Sequence, residues 1–178
     1  MKKIFNYLAG TIVFVLAIYL AGGFLLPKTW HVIQKTTIKA QPEIIYEQIA
    51  NLKNWQNWAP WNKDKDPSQE YSYEGPDMGA GAKWLWKSEK MGSGWLEITE
   101  ASPDTGIVYK LFIDMNGRTS NIRGSISYTN VGDALDVIWT DQGEAGAGFN
   151  QRWLSIIIKI MLSKEMASGL EKLKYISE

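Results

Sequence analysis

The sequence holds few side chains able to do polar chemistry. There is no cysteine and a single histidine, His31. That inventory excludes disulfides, thiolate nucleophiles and thiolate metal sites. A general base needs a partner and a pocket, and the surroundings of His31 in the sequence offer neither, so it reads as a solvated or interfacial side chain. No Ser-His-Asp or Cys-His set can be assembled around a pocket, and no catalytic residue is assigned. Carboxylates facing a cavity would suit acid–base chemistry in a cyclase or dehydratase, but strand phasing places Asp114, Asp136 and Asp141 mostly on the outer face. Asp64-Lys65-Asp66 lacks the further ligands and the turn glycine of a calcium loop and reads as a solvated turn. No metal and no cofactor is expected. Gly79-Ala80-Gly81 and Gly143-Glu144-Ala145-Gly146-Ala147-Gly148 have neither the Gly-Lys-Ser/Thr ending of a phosphate loop nor dinucleotide spacing. Both read as flexible loops at a cavity mouth.

The aromatic residues say more. Nine tryptophans are many for 178 residues. Large rings fill cores, and in excess they also suit the lining of an apolar cavity. Trp55 and Trp58, at helical spacing, serve core or lid packing or ligand contact. Trp84, Trp86 and Tyr109 share one expected sheet face, with Trp139 and Trp153 approaching from the last strand and helix. That much ring volume around one helix would crowd a closed core, and a partly open cavity relieves the crowding. The cavity-lining candidates are Trp55, Trp58, Trp61, Trp84, Trp86, Tyr109, Leu111, Ile122, Trp139, Trp153 and Ile157.

The elements that must position these residues follow from periodicity. Trp30 to Ala40 alternates as a strand. Pro42 and Glu43 open a helix to about Ala50, and a second short helix runs from about Leu52 to Trp58. Period-two strands follow over 69–74, 82–88, 95–101, 107–114 and 119–129, and after a turn at Gly132-Asp133 a further, last strand carries Leu135, Val137 and Trp139. Gly92 and Gly94 break the chain between two of them. Asn116-Gly117 is a strong two-residue hairpin signal, so the run is an antiparallel meander. A final helix spans about Asn150 to Tyr175, with Trp153, Ile156, Ile157, Ile160, Ala167, Leu170 and Leu173 as its core stripe. The fold class is α+β: the sheet has one apolar face, and the last helix is the only long element able to cover it.

That helix has an excess. Trp153 to Leu162 is apolar at eight of ten positions, an arc of roughly 240° rather than a single stripe. Leu154, Ile158 and Leu162 fall outside the face of Trp153, Ile157 and Ile160. Either the two short helices bury this second side, or it meets the membrane.

A membrane is implied by the other end of the chain. Ile4 to Leu26 is 23 residues without a charge, about 35 Å as a helix against roughly 30 Å of bilayer hydrocarbon. Lys2 and Lys3 before it, with the terminal amine, favour a cytoplasmic N-terminus. The remaining domain then lies outside the inner membrane. The alternative is a cleaved signal peptide, with Leu20-Ala21-Gly22-Gly23 as the site, although the apolar run continues past it. Two segments are expected, 1–28 and 29–178. The second carries 16 basic and 19 acidic residues, a formal charge of −3, and nothing in it suggests nucleic acid, which asks for a basic face.

With these elements in order, the sequence resembles the START-like, or SRPBCC, superfamily of polyketide cyclase/dehydrase and lipid-transport proteins, over about Trp30 to Lys174. Ile38-Lys39-Ala40-Gln41-Pro42-Glu43-Ile44-Ile45-Tyr46 is similar to the family's strand-to-helix opening. Trp55-Gln56-Asn57-Trp58-Ala59-Pro60-Trp61 is similar to a signature of a membrane-anchored bacterial subgroup. Gly75, Gly79, Gly81, Trp86, Gly92 and Gly94 continue that pattern, and Gly169 to Lys174 resembles its closing helix. The resemblance implies a helix-grip fold, with a cavity for an apolar ligand between sheet and C-terminal helix, and it carries over no catalytic motif. Three functions stay open: a membrane-tethered binder of a hydrophobic small molecule or lipid, a cyclase- or dehydratase-like enzyme on a hydrophobic substrate, or an interaction or stress-response domain with a filled core. No protein partner is identified.

Overall fold

The computed structural model describes residues 2–90, 92–144 and 149–178. A helix α1 (Lys2–Leu25) leads into strand β1 (Thr29–Ile38), then helices α2 (Pro42–Ala50) and α3 (Trp55–Trp58). Six strands follow: β2 (Glu70–Glu74), β3 (Lys83–Ser88), β4 (Gly92–Ser102), β5 (Gly106–Met115), β6 (Arg118–Val131) and β7 (Ala134–Glu144). Helix α4 (Phe149–Ser177) closes the chain. The sheet order is β1-β7-β6-β5-β4-β3-β2, antiparallel at every pair. Consecutive hairpins build β2 to β7, and β1 joins the far edge of β7. The curved sheet holds α4 along its inner face in a helix-grip arrangement.

Local chemistry accounts for the elements. Pro42 sits in the first turn of α2 with Glu43 beside it, where a missing N–H is harmless and a negative charge favourable. Asn116 and Gly117 both take positive φ, 56° and 83°, as a tight hairpin requires. Gly92 and Gly94 lie within β4 and do not break the chain; Gly94 is an inward position crossed by the Trp86 ring, which leaves no space for a side chain. The last strand runs on to Glu144, five residues past Trp139.

The core lies between the inner sheet face and α2, α3 and α4, and it is built from rings. Trp55 and Trp58 are fully buried, and their indole N–H groups donate to the carbonyls of Ile49 (2.9 Å) and Gln48 (3.2 Å), which ties α3 to the end of α2. Trp139 lies edge-on to Trp55, Trp58 and Trp61 at centroid distances of 6.0, 5.4 and 6.0 Å, the geometry aromatic quadrupoles prefer.

The core stripe of α4 differs from the expected one. Its buried positions are Ser155, Leu162, Met166, Gly169, Leu170, Leu173 and Ser177, with Ile158 packed against them. Ile156, Ile157 and Ile160 are exposed, and Trp153 packs on α1. The wide apolar arc hides the true face, because either half of it makes a plausible stripe. The true one continues in phase with Leu170 and Leu173.

Helix α1 is long and apolar enough over Asn6–Leu25 to cross a membrane, and almost none of that span is buried. Its last turns rest on the start of α4. Tyr19 stacks on Trp153 at 6.2 Å, and the Trp153 indole donates to the Tyr19 carbonyl at 3.1 Å. Arg152 donates to the carbonyl of Phe24 at 2.6 Å. Gly22 lies under the Trp153 ring, where a Cβ would come within 2.0 Å of it.

Candidate functional site

Between the sheet and α4 lies a cavity of about 350 Å³ with almost wholly apolar walls. Trp55 and Trp61 close it on the α3 side, Trp84 and Trp86 of β3 on another. Leu96, Leu111, Ile113 and Ile122 cover the sheet, and Met161 and Leu162 the helix. Met115 at the β5–β6 hairpin and Met161 on α4 line the cavity while about half exposed, which marks the mouth between them. Lys65 and Glu165 meet there as an ion pair.

Two buried polar residues, Gln69 and Asp141, also line the cavity. Asp141 of β7 is buried and faces the cavity. The Tyr109 hydroxyl donates to its Oδ1 at 2.6 Å, and the Trp139 indole N–H donates to that hydroxyl at 2.7 Å. Gly124 on the intervening strand leaves room: a Cβ there would come within 2.2 Å of both Asp141 Oδ1 and the Tyr109 ring. Burial pushes the Asp141 carboxyl up to about 7, partly offset by the Tyr109 hydrogen bond. Burial and the Asp141 charge hold the Tyr109 phenol well above its usual range.

Of the residues singled out from the sequence, Trp55, Trp61, Trp84, Trp86, Tyr109, Leu111 and Ile122 come together on the cavity wall. Trp58 and Trp139 stand behind it in the core. Trp153 and Ile157 are elsewhere, the first against α1 and the second 62% exposed. Asp136 is on the outer face, where Lys35 (2.6 Å) and Thr37 (2.7 Å) hold its carboxyl below the usual range. Asp114 accepts from the Gly117 amide at 2.7 Å in the hairpin. Asp141 overturns the expectation of an outward side chain. Leu135, Val137 and Trp139 point inward, and two residues further along an unbroken strand Asp141 does too. The alternation that turns Trp139 inward carries Asp141 inward too, because β7 continues to Glu144.

Two other expectations change. Asp66 is buried rather than solvated: Ser88 Oγ, Ser68 Oγ (2.7 Å), the Ser68 amide (3.0 Å) and the Lys90 amide (3.2 Å) all donate to it. Those bonds, the Ser88 one foremost, hold its carboxyl far below the usual range. Its part is to pin the 62–69 loop that roofs the cavity. The supposed hinge at 143–148 is in part strand, since Gly143 and Glu144 belong to β7; residues 145–148 lie outside the described residues. His31 is exposed on β1. Among the described residues no group of three or more His, Cys, Asp or Glu side chains is placed to hold a metal ion.

This architecture and cavity define a SRPBCC-type helix-grip protein. Residues 29–178 match the polyketide cyclase / dehydrase and lipid transport family, and the chain belongs to it. Solved structures share the fold at low identity. A protein from Chromobacterium violaceum is 16% identical with a TM-score of 0.57, over 86% of this chain and 99% of that one. A hypothetical protein from Helicobacter pylori is 9% identical with a TM-score of 0.61, over 83% and 88%. The Aha1 protein of Colwellia psychrerythraea, solved as a dimer, is 17% identical with a TM-score of 0.58, over 83% and 96%. No curated protein matches the chain in sequence.

Proposed function

We propose that this chain is a membrane-tethered binding domain for a hydrophobic small molecule or lipid, held between the sheet and α4. The cavity carries the reading. About 350 Å³ of apolar space opening between Met115 and Met161 falls within the roughly 300–1,000 Å³ typical of small-molecule sites. Family membership supports it, since the family includes lipid-transport proteins. The open volume counts against a filled core.

In the same reading residues 4–26 span the inner membrane of a bacterium with the N-terminus cytoplasmic, and 29–178 form the domain outside the cytoplasm. Retention of α1 is favoured by its docking on α4, because cleavage at 20–23 would take away the Tyr19 partner of Trp153. The exposed face of Leu154, Ile157, Ile160 and Met161 begins beside the span and is suited to contact the bilayer.

One observation favours a second reading, a cyclase- or dehydratase-like enzyme. A carboxyl titrating near 7 at a cavity floor is in the range useful to an acid or base. Native mass spectrometry of the full chain, released from detergent micelles, tests both. A co-purified or added apolar molecule bound one to one and recovered unchanged is expected. Chemical conversion selects the enzyme, and failure to bind any apolar molecule overturns both.

A further inference from the structure

The cavity wall is mostly apolar; besides the Lys65–Glu165 pair and Gln69, which accepts from the Tyr71 hydroxyl, it carries Asp141 and Trp84. The Trp139–Tyr109–Asp141 chain fixes the carboxyl through Oδ1, in the space that Gly124 leaves open. A carboxyl has a second oxygen, and Asp141 faces the cavity. Trp84 lines the same cavity and is buried, and its indole N–H has no hydrogen-bond partner among the described residues. A buried donor without an acceptor is costly, and a ligand oxygen would remove that cost.

Resting on the reading of this cavity as a ligand site, we propose that its ligand is an uncharged amphiphile of the long-chain alcohol class, with a hydroxyl seated on Asp141 Oδ2. Charge selects the class. The cavity's one basic side chain, Lys65, is at the mouth and engaged by Glu165. A fatty carboxylate reaching the floor would meet Asp141 with no cation to offset either charge. An alkylamine would form a buried ion pair whose remaining protons face an apolar wall, so desolvation opposes it. A hydroxyl both donates and accepts, and therefore pairs with the carboxyl whether or not it is protonated. A further ligand oxygen, such as an ester carbonyl, would satisfy Trp84.

The test offers the full chain in detergent micelles an equimolar mixture of dodecanol, dodecanoic acid and dodecylamine at pH 8, with bound species counted by native mass spectrometry. The alcohol adduct is expected to exceed each of the others by about tenfold, because only the alcohol pairs with Asp141 without burying a head-group charge. Asp141→Leu, which removes the acceptor for the hydroxyl, is expected to lower the dodecanol adduct about tenfold, whereas Asp141→Asn, which keeps an acceptor for Tyr109 and an amide for the ligand, retains it. The wild-type ranking needs no variant, so a misfolded Asp141→Leu leaves the test intact. Dominance of the acid or the amine overturns the inference, as does undiminished dodecanol uptake by Asp141→Leu. Equal uptake of all three overturns it too, while the binding function stands. No uptake of any removes both.

Discussion

The burial of Asp141 makes stability depend on pH. An unfolded aspartate titrates near 3.9, whereas in the fold its carboxyl is pushed up to about 7. Below about pH 4 both states hold the proton and nothing is lost. Between 4 and 7 the unfolded chain has released its proton while the fold retains it, so stability falls as pH rises. Above 7 the loss is complete, on the order of 4 kcal/mol. Asp141→Asn cannot titrate and still accepts from Tyr109. Its melting temperature is therefore expected to rise relative to wild type as pH goes from 4.5 to 8, by on the order of 10 °C. Calorimetry of both proteins across that range checks it, and parallel pH profiles would show that the carboxyl is not buried as described. Other acids, Asp66 among them, act with the opposite sign but equally in both proteins, so the difference isolates Asp141.

At the scale of elements, α4 seats itself on the sheet through Gly169. A Cβ there would come within 2.9 Å of the Trp139 ring and 3.0 Å of the Pro60 ring. Neither gives easily, since Trp139 is fully buried and bonded to Tyr109. Alanine improves helix propensity by up to about 1 kcal/mol, but overpacking typically costs about 1–3 kcal/mol. Gly169→Ala is expected to lower stability by about 1–2 kcal/mol in chemical denaturation; a gain would mean that α4 can lift away from Trp139. The same elements show what was legible beforehand. The strand and hairpin order could be read because alternation and Asn116-Gly117 are local signals. Seven cavity-wall residues could be read because their side chains alternate on strands or flank α3. The α4 face could not, since it depends on which side of a helix apolar all round meets the sheet. The close approach at Gly124 and Gly169 is not legible either, although Gly169 belongs to the closing-helix resemblance: a glycine marks a close approach only once the ring above it is known.

For the molecule as a whole, the relation of cavity to membrane matters most. The exposed apolar face of α4 starts where α1 ends and reaches Met161, which also lines the cavity mouth. A soluble surface leaves few such contiguous apolar areas bare. If the span sits in a bilayer, the clasp of Tyr19, Gly22 and Phe24 on Arg152 and Trp153 brings this face to the interface. The absence of cysteine makes the contact measurable, because one introduced cysteine carries one label. In the full chain reconstituted with lipids brominated in their acyl chains, a fluorophore at Ile157→Cys or Ile160→Cys is expected to be quenched several-fold more than one at Tyr175→Cys. Tyr175 is also exposed, but about 27 Å further along the helix from Ile157 at 1.5 Å per residue. Equal, weak quenching at all three would place α4 away from the bilayer, and a ligand would then have to cross water to reach the cavity. Quenching graded from Ile157 toward Tyr175 would instead tilt α4 into the interface and put the mouth at Met161 next to acyl chains. An uncharged amphiphile could then enter without its apolar tail being exposed to water, and that exposure is the step whose free-energy cost grows by about 0.8 kcal/mol with each methylene.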